Sequence, residues 1–366
     1  MSSGGTGTRR EHAILATILC VALICRLVMA VSVPFMYDEY LWAQVTDSIH
    51  LTPGPSFHLP LDGAGSHPPA QAYWNGVGVL LLGKCALGYR LGSVLLGVAA
   101  VWLVYRLGRI YWSAPVGLLA AGFLAVNEYH LGISQICTQK SYFTFALLFL
   151  YLFERTVERQ RIAEFAMLGI IAGLGLSTGL TFLVWVPLLI VESLRRAESR
   201  RCWRTVGPYL TALICAAIVA PYFVSELTRE ETSDLAIQVD KSSLGSWSWA
   251  PLALYLRPLY YVAVEHTISE YPSMTTVPGA LLLAGGGLSL ALLRGERARF
   301  VQALGLFPFL LFSLFSRPSG EFFWSDFSLP PFILLSAAVL PRLRRWSPVV
   351  TAGVFAALLW STAPLV

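Results

Sequence analysis

Asp38 and Glu39 stand side by side just after Pro34, where a long apolar run ends, in a chain with only 21 acidic residues among 366. A positioned carboxylate at such a boundary can take the proton of an alcohol as it attacks an electrophile. The same pair can also begin a helix, where the dipole favours negative charge. Further along, His67 precedes Pro68 and Pro69, and His50 and His58 lie in the same segment. Three histidines near acids can hold a metal, but their spacing matches no compact ligand motif, so a divalent cation is not favoured. Arg26 lies about eight residues inside the first apolar run. A charged side chain there is functional by default unless it snorkels to the interface. Arg90, Lys140, Arg257 and Arg317 are the other cations placed to meet an anion, Arg317 foremost.

The elements that must carry these residues follow from the apolar pattern. Apolar residues make up 56% of the chain and charged ones 13%, about half the share of a soluble domain. Mean hydropathy is +0.64. The sequence therefore predicts an all-α polytopic membrane protein, one intramembrane domain over 1–366. Candidate spans are 12–34, 88–107, 114–131, 140–155, 162–177, 179–194, 205–223, 275–294, 300–316, 328–341 and 348–364. A further apolar stretch, 70–83, is short. If it does not cross, the basic clusters around Arg9, Arg106, Arg155, Arg195, Arg294 and Arg342 all fall on one side, as the positive-inside rule requires. That parity gives about eleven spans, a cytoplasmic N-terminus and an uncleaved first span.

Three outer loops result, at about 35–87, 224–274 and 317–327. The inner loops are brief and basic, so chemistry belongs to the outer face. In the first outer loop Leu41, Val45 and Ile49 recur at helical spacing, which predicts a helix along the interface with Asp38 and Glu39 at its N-terminal end. Leu51–Pro55, with two prolines and a glycine, predicts irregular chain. The six cysteines form no CxxC pair; a Cys85–Cys137 disulfide is conceivable but not favoured. Outer-loop aromatics such as Trp247, Trp249 and Trp324 read first as an interface belt.

The DE pair outside the first span, followed about thirty residues later by His67-Pro68-Pro69, resembles the pattern of the GT-C membrane glycosyltransferases. The resembling branch holds the protein O-mannosyltransferases and the lipid A aminoarabinose transferases. Tyr89-Arg90-Leu91-Gly92-Ser93 is similar to a family segment, as are Ile133-Ser134-Gln135 and the stretch from Ser316-Arg317 to Leu329-Pro330-Pro331. Two departures stand out. The loop SQICTQKSYF has no carboxylate where many relatives carry a second acid, and Thr178 occupies the place of a lysine. These argue against metal dependence and keep a non-catalytic member of the fold in view.

The resemblance implies a donor sugar on a polyprenyl phosphate and an acceptor that is a lipid, polysaccharide or protein. It implies Asp38 as base, Glu39 and His67 as substrate contacts, and one of Arg317, Arg90, Lys140, Arg257 or Arg26 at the phosphate. Glu39 has a second option, an ion pair with an arginine. The leaving phosphate departs ionised, so no general acid is needed, unlike glycoside hydrolysis. No cofactor is certain, and a divalent metal stays open but not favoured; no nucleic acid is a partner, and membrane lipid is. The setting expected is a bacterial plasma membrane with the site on its outer face. The competing readings are a transporter or lipid flippase and a non-catalytic GT-C-like partner subunit. Charges gather at span ends rather than mid-membrane, which favours surface chemistry over transport.

Overall fold

The computed structural model describes residues 4–35, 37–51, 59–61, 65–67, 70–138, 141–227, 282–315, 323–345 and 347–362. Helices dominate. In order they are α1 (Gly4–Ser32), α2 (Tyr37–Leu51), α3 (Ala70–Leu82), α4 (Ala86–Tyr111), α5 (Ala114–Val126), α6 (Glu128–Gln135), α7 (Tyr142–Arg159) and α8 (Ile162–Leu176). There follow a 3-10 segment (Leu180–Trp185), α9 (Val186–Arg195), α10 (Ala197–Cys202) and α11 (Gly207–Leu227). After a π-helical stretch (Leu282–Leu288) come α12 (Ser289–Leu292), α13 (Glu296–Phe315), α14 (Phe323–Arg344) and α15 (Pro348–Thr362). The segment between α2 and α3 adds one feature the sequence did not suggest. Strands β1 (Leu59–Leu61) and β2 (Gly65–His67) pair antiparallel with Leu59 opposite His67.

Within the described residues, every expected span falls on a helix or a broken helix. The count of eleven is not established. Among the described residues, three helices are long and apolar enough to cross a membrane: Arg9–Ser32, Ala86–Tyr111 and Gly207–Val224. A fourth appears if the bent pair Ala114–Val126 and Tyr129–Gln135 is one span. Three of the others fall short for local reasons. α8 has 15 residues against the ~20 needed, the 179–194 stretch starts as a 3-10 turn, and the 275–294 stretch is partly π-helical. The stretch 70–83 is a helix of 13 residues, about 20 Å long against a ~30 Å hydrocarbon core.

Contacts divide the chain into two compact units. One holds Met1–Arg26, Val101–Ile133 and Leu244–Val366; the other holds Leu27–Ala100 and Ser134–Ser243. In the second unit α8 packs along α7 and α11. Gly169 and Gly173 make the α8–α11 approach possible. A Cβ on Gly169 would lie 2.7 Å from the Thr211 carbonyl, and one on Gly173 would lie 2.7 Å from the Ile218 Cβ. Small residues let backbones meet where lipid offers no hydrophobic drive, and Thr211 seals the contact by donating to the Phe165 carbonyl at 2.8 Å. Gly83, at φ +80°, ends α3 and donates its N–H to the Val79 carbonyl at 2.8 Å, the left-handed cap that glycine adopts without strain. In the first unit α14 is the central element, packed on α5, α13, α15 and the π-helical stretch. Its middle, from Phe327 to Leu340, is buried. Elsewhere, exposed Leu80, Leu81, Leu213 and Val349 give the helices apolar outer surfaces.

Candidate active site at the start of the second helix

The chain leaves α1 at Ser32 and enters α2 at Tyr37. A helix end leaves its last carbonyls without intrahelical partners. Arg90, from α4, collects them. Its Nη1 donates to Ala30 O at 2.9 Å and Val33 O at 2.7 Å, and its Nη2 to Pro34 O at 3.0 Å. The remaining donors go to Glu39: Nε to Oε1 at 2.8 Å and Nη2 to Oε2 at 2.5 Å. All five N–H groups of the guanidinium are thereby engaged. The Phe35 ring covers it at 4.7 Å. Arg90 is 0% and Glu39 1% exposed. A buried pair is tolerable only when its geometry is good and its remaining polar atoms are met, and both conditions hold here.

Glu39 reaches one step further. Its Oε1 accepts the Cys137 N–H at 3.1 Å, in the loop between α6 and α7. The Cys137 carbonyl accepts from Asn75 Nδ2 at 2.8 Å. Gln71, one turn earlier on α3, donates to Asn75 Oδ1 at 2.9 Å and to Ser93 Oγ at 3.4 Å, and accepts from the Ser141 hydroxyl at the start of α7. One buried polar chain thus joins the end of α1, α4, α2, the α6–α7 loop, α3 and the start of α7. Burial, and then the charge of Glu39, pushes the Cys137 thiol well above its ordinary range. Cys85 and Cys137 are both free thiols, so the disulfide weighed from sequence is not formed.

Helix α2 has a second anchor. Trp42, Val45 and Ile49 are buried against Ala72, Val79 and Tyr89, with Leu41 partly buried beside them. The expected apolar stripe is present, centred on Trp42. On another side Asp47 accepts from Lys84 Nζ at 2.8 Å and from the Tyr89 hydroxyl at 2.9 Å. The start of α3 is tied to the end of α8 through Ala70 N–H to Ser177 O at 3.1 Å. Thr178, the lysine substitute, donates to the Gly175 carbonyl at 2.6 Å and is buried.

These bonds hold the backbone on both sides of Asp38, which lies in the first turn of α2. The Asp38 side chain is outside those described, as are the side chains of His50 and His67; His58 lies outside the described residues, and His67 lies on β2. Lys140, Arg257 and Arg317 lie outside the described residues, as do almost all of the second and third outer loops. Arg90, expected at a phosphate, is committed to Glu39 and to the end of α1. Arg26 is buried rather than snorkelling. Its Nη1 donates to Ala22 O at 2.8 Å and Ala125 O at 3.2 Å, and its Nη2 lies 2.6 Å from His130 Nδ1. The arginine must donate, so Nδ1 is the accepting nitrogen. Asn127 caps α6 by accepting the His130 N–H at 2.9 Å. Among the described residues no group of three His, Cys, Asp or Glu gathers as a metal site. The bends from Ile136 to Thr138 offer no carboxylate and Glu39 is taken, so no step here is routed through a metal. Gln71 and Asn75 were missed from sequence; two amides four apart on an otherwise apolar helix were the available signal.

Known proteins resemble this chain in sequence and in fold. The dolichyl-phosphate-mannose-protein mannosyltransferase family matches residues 66–224. An undecaprenyl phosphate-alpha-4-amino-4-deoxy-L-arabinose arabinosyl transferase 1 of Pseudomonas fluorescens (strain Pf0-1) is 24% identical over 261 residues, 69% of this chain and 44% of that one. ArnT from Cupriavidus metallidurans bound to undecaprenyl phosphate superposes with a TM-score of 0.70 at 17% identity, over 97% of this chain and 64% of that one. The archaeal oligosaccharyltransferase AglB from Archaeoglobus fulgidus, in complex with an inhibitory peptide and a dolichol-phosphate, gives 0.63 at 14% identity, over 96% and 52%. The chain spans less than half the length of the curated relative it matches. Its fold is that of ArnT and AglB.

Proposed function

We propose that this chain is an integral-membrane glycosyltransferase that moves a sugar from a polyprenyl-phosphate carrier to an acceptor hydroxyl at the extracytoplasmic face. The observation that carries the reading is the Arg90–Glu39 clamp, which holds the first turn of α2, the backbone that carries Asp38. Asp38 takes the proton of the acceptor hydroxyl as its oxygen bonds to the anomeric carbon. The bond from that carbon to the phosphate oxygen breaks, and its electron pair leaves with the phosphate. A carboxylate base is worth about 10²–10⁴-fold in such a step. Charge growing on the phosphate calls for a cation, for which guanidinium geometry is suited. Arg317 is the first candidate, with Lys140 and Arg257 behind it. Arg90 and Glu39 act as positioning residues, Arg26 holds a helix end, and His67 contacts donor or acceptor.

The sidedness rests on the basic clusters, which put the N-terminus in the cytoplasm and the first outer loop outside. The short basic inner loops fit a bacterial plasma membrane, and the acceptor is a lipid, a polysaccharide or a protein. The likeness to a structure bound to undecaprenyl phosphate supports the carrier class. The test is sugar transfer by purified protein given a polyprenyl-phosphate-linked donor, compared with Asp38→Asn. Transfer by the wild type that falls at least ~100-fold in a folded variant is expected. Lipid translocation without transfer, unaffected by the substitution, would replace the enzyme with a flippase.

A further inference from the structure

The first unit carries a feature the transfer chemistry does not use. Between α5, α14 and α15 lies a cavity of about 750 Å³. Its walls are apolar, built from Leu119, Leu340, Ala352 and Phe355. At one end, where α14 turns into α15, stand Arg344 and Arg345. Both are exposed, and among the described residues neither is paired with an acid. Arg195 and Arg196, in another basic cluster, are by contrast held by Glu192, and Arg196 also by Glu154. Ser347 accepts the Val350 N–H at 3.2 Å and so starts α15 at the same end, adding the positive pole of a helix dipole.

The volume lies within the roughly 300–1,000 Å³ of small-molecule sites. Its chemistry is split. A soluble anion has no use for the apolar walls, and a neutral lipid has no use for two uncompensated guanidinium groups. The surrounding surface is apolar, with Val349 and Val350 exposed, as expected where lipid is the neighbour. We propose that this groove holds an acyl chain of an anionic phospholipid, with the lipid phosphate at Arg344 and Arg345. The basic cluster places the site at the cytoplasmic leaflet, where anionic headgroups attract juxtamembrane arginines. This assignment does not depend on the transferase reading.

The experiment is native mass spectrometry of the full chain in detergent, titrated with phosphatidylglycerol or with phosphatidylcholine of the same acyl chains. Phosphatidylglycerol binds at least tenfold tighter. The pair Arg344→Gln/Arg345→Gln weakens it on the order of 30-fold, about fivefold per arginine, and leaves phosphatidylcholine unchanged. Ala352→Trp, which fills the groove and keeps both arginines, also weakens it; if that variant does not fold, Leu119→Trp takes its place. Removing the same charge elsewhere, by Arg200→Gln/Arg201→Gln, leaves the affinity within about twofold. Equal binding of the two lipids, an equal loss in the control pair, or unchanged binding with the groove filled would each overturn the assignment.

Discussion

Two arginines are fully buried among the described residues, and they are buried differently. Arg90 faces a carboxylate and the end of α1; Arg26 faces an imidazole and the end of α5. Each caps a helix whose last carbonyls would otherwise lack partners in a medium that supplies none. At Arg90 the contact also buries a full opposite charge, that of Glu39. An arginine that caps carbonyls alone can be lost with the cost of its hydrogen bonds. An arginine that also neutralises a buried acid cannot be lost without stranding that acid.

The contrast is sharpest for Arg90→Leu. It leaves Glu39 buried and uncompensated, which costs about 3–5 kcal/mol, read as a loss of unfolding free energy in detergent. Arg90→Met with Glu39→Leu removes both charges and is expected to recover more than half of that loss. A double variant no more stable than the single would contradict the pair as the source of the cost. Arg26→Leu gives up two carbonyl bonds and an imidazole contact and costs less, about 1.5–3 kcal/mol. A larger loss at Arg26 than at Arg90 would reverse the comparison.

Smaller effects trace the polar chain behind Glu39. Asn75→Ala strands the Cys137 carbonyl and half of the Gln71 amide, at about 1–2 kcal/mol. The least costly probe is thiol labelling. The thiolate is the reactive form, and the Cys137 thiol is buried and shifted up, whereas Cys85 is exposed. Maleimide at neutral pH therefore labels Cys85 in the folded wild type and spares Cys137, whose labelling rises in Arg90→Leu as the clamp opens.

Much of this was legible in the sequence. The apolar runs gave the helices, and Leu41, Val45 and Ile49 gave α2. Trp42 proved the centre of the buried face because Ala72, Val79 and Tyr89 pack there, a tertiary fact that spacing alone does not hold. The span 114–131 was read straight through, yet Asn127 breaks it by capping a new helix. A small polar residue inside an apolar run is the sign that was passed over. The pairing of Leu59–Leu61 with Gly65–His67 has no alternating apolar pattern to show it, since Pro60 and Gly65 stand in strands of three residues. The roles of Arg90 and Glu39 were the least legible. Both are polar residues near a membrane boundary, and which partner each finds is decided by how α1, α2 and α4 pack. The sequence offered an ion pair as one option for Glu39 and a phosphate for Arg90; the geometry joins the two residues.

The division of labour within the DE pair is the central claim: Glu39 holds the structure and Asp38 does the chemistry. It is tested most directly by measuring, on one preparation of Asp38→Asn, both the unfolding midpoint and the rate of sugar transfer from a polyprenyl-phosphate-linked donor. The account predicts a midpoint within about 2 °C of wild type, under ~1 kcal/mol, and transfer reduced at least ~100-fold. Transfer at the wild-type rate by a stable Asp38→Asn protein would contradict it.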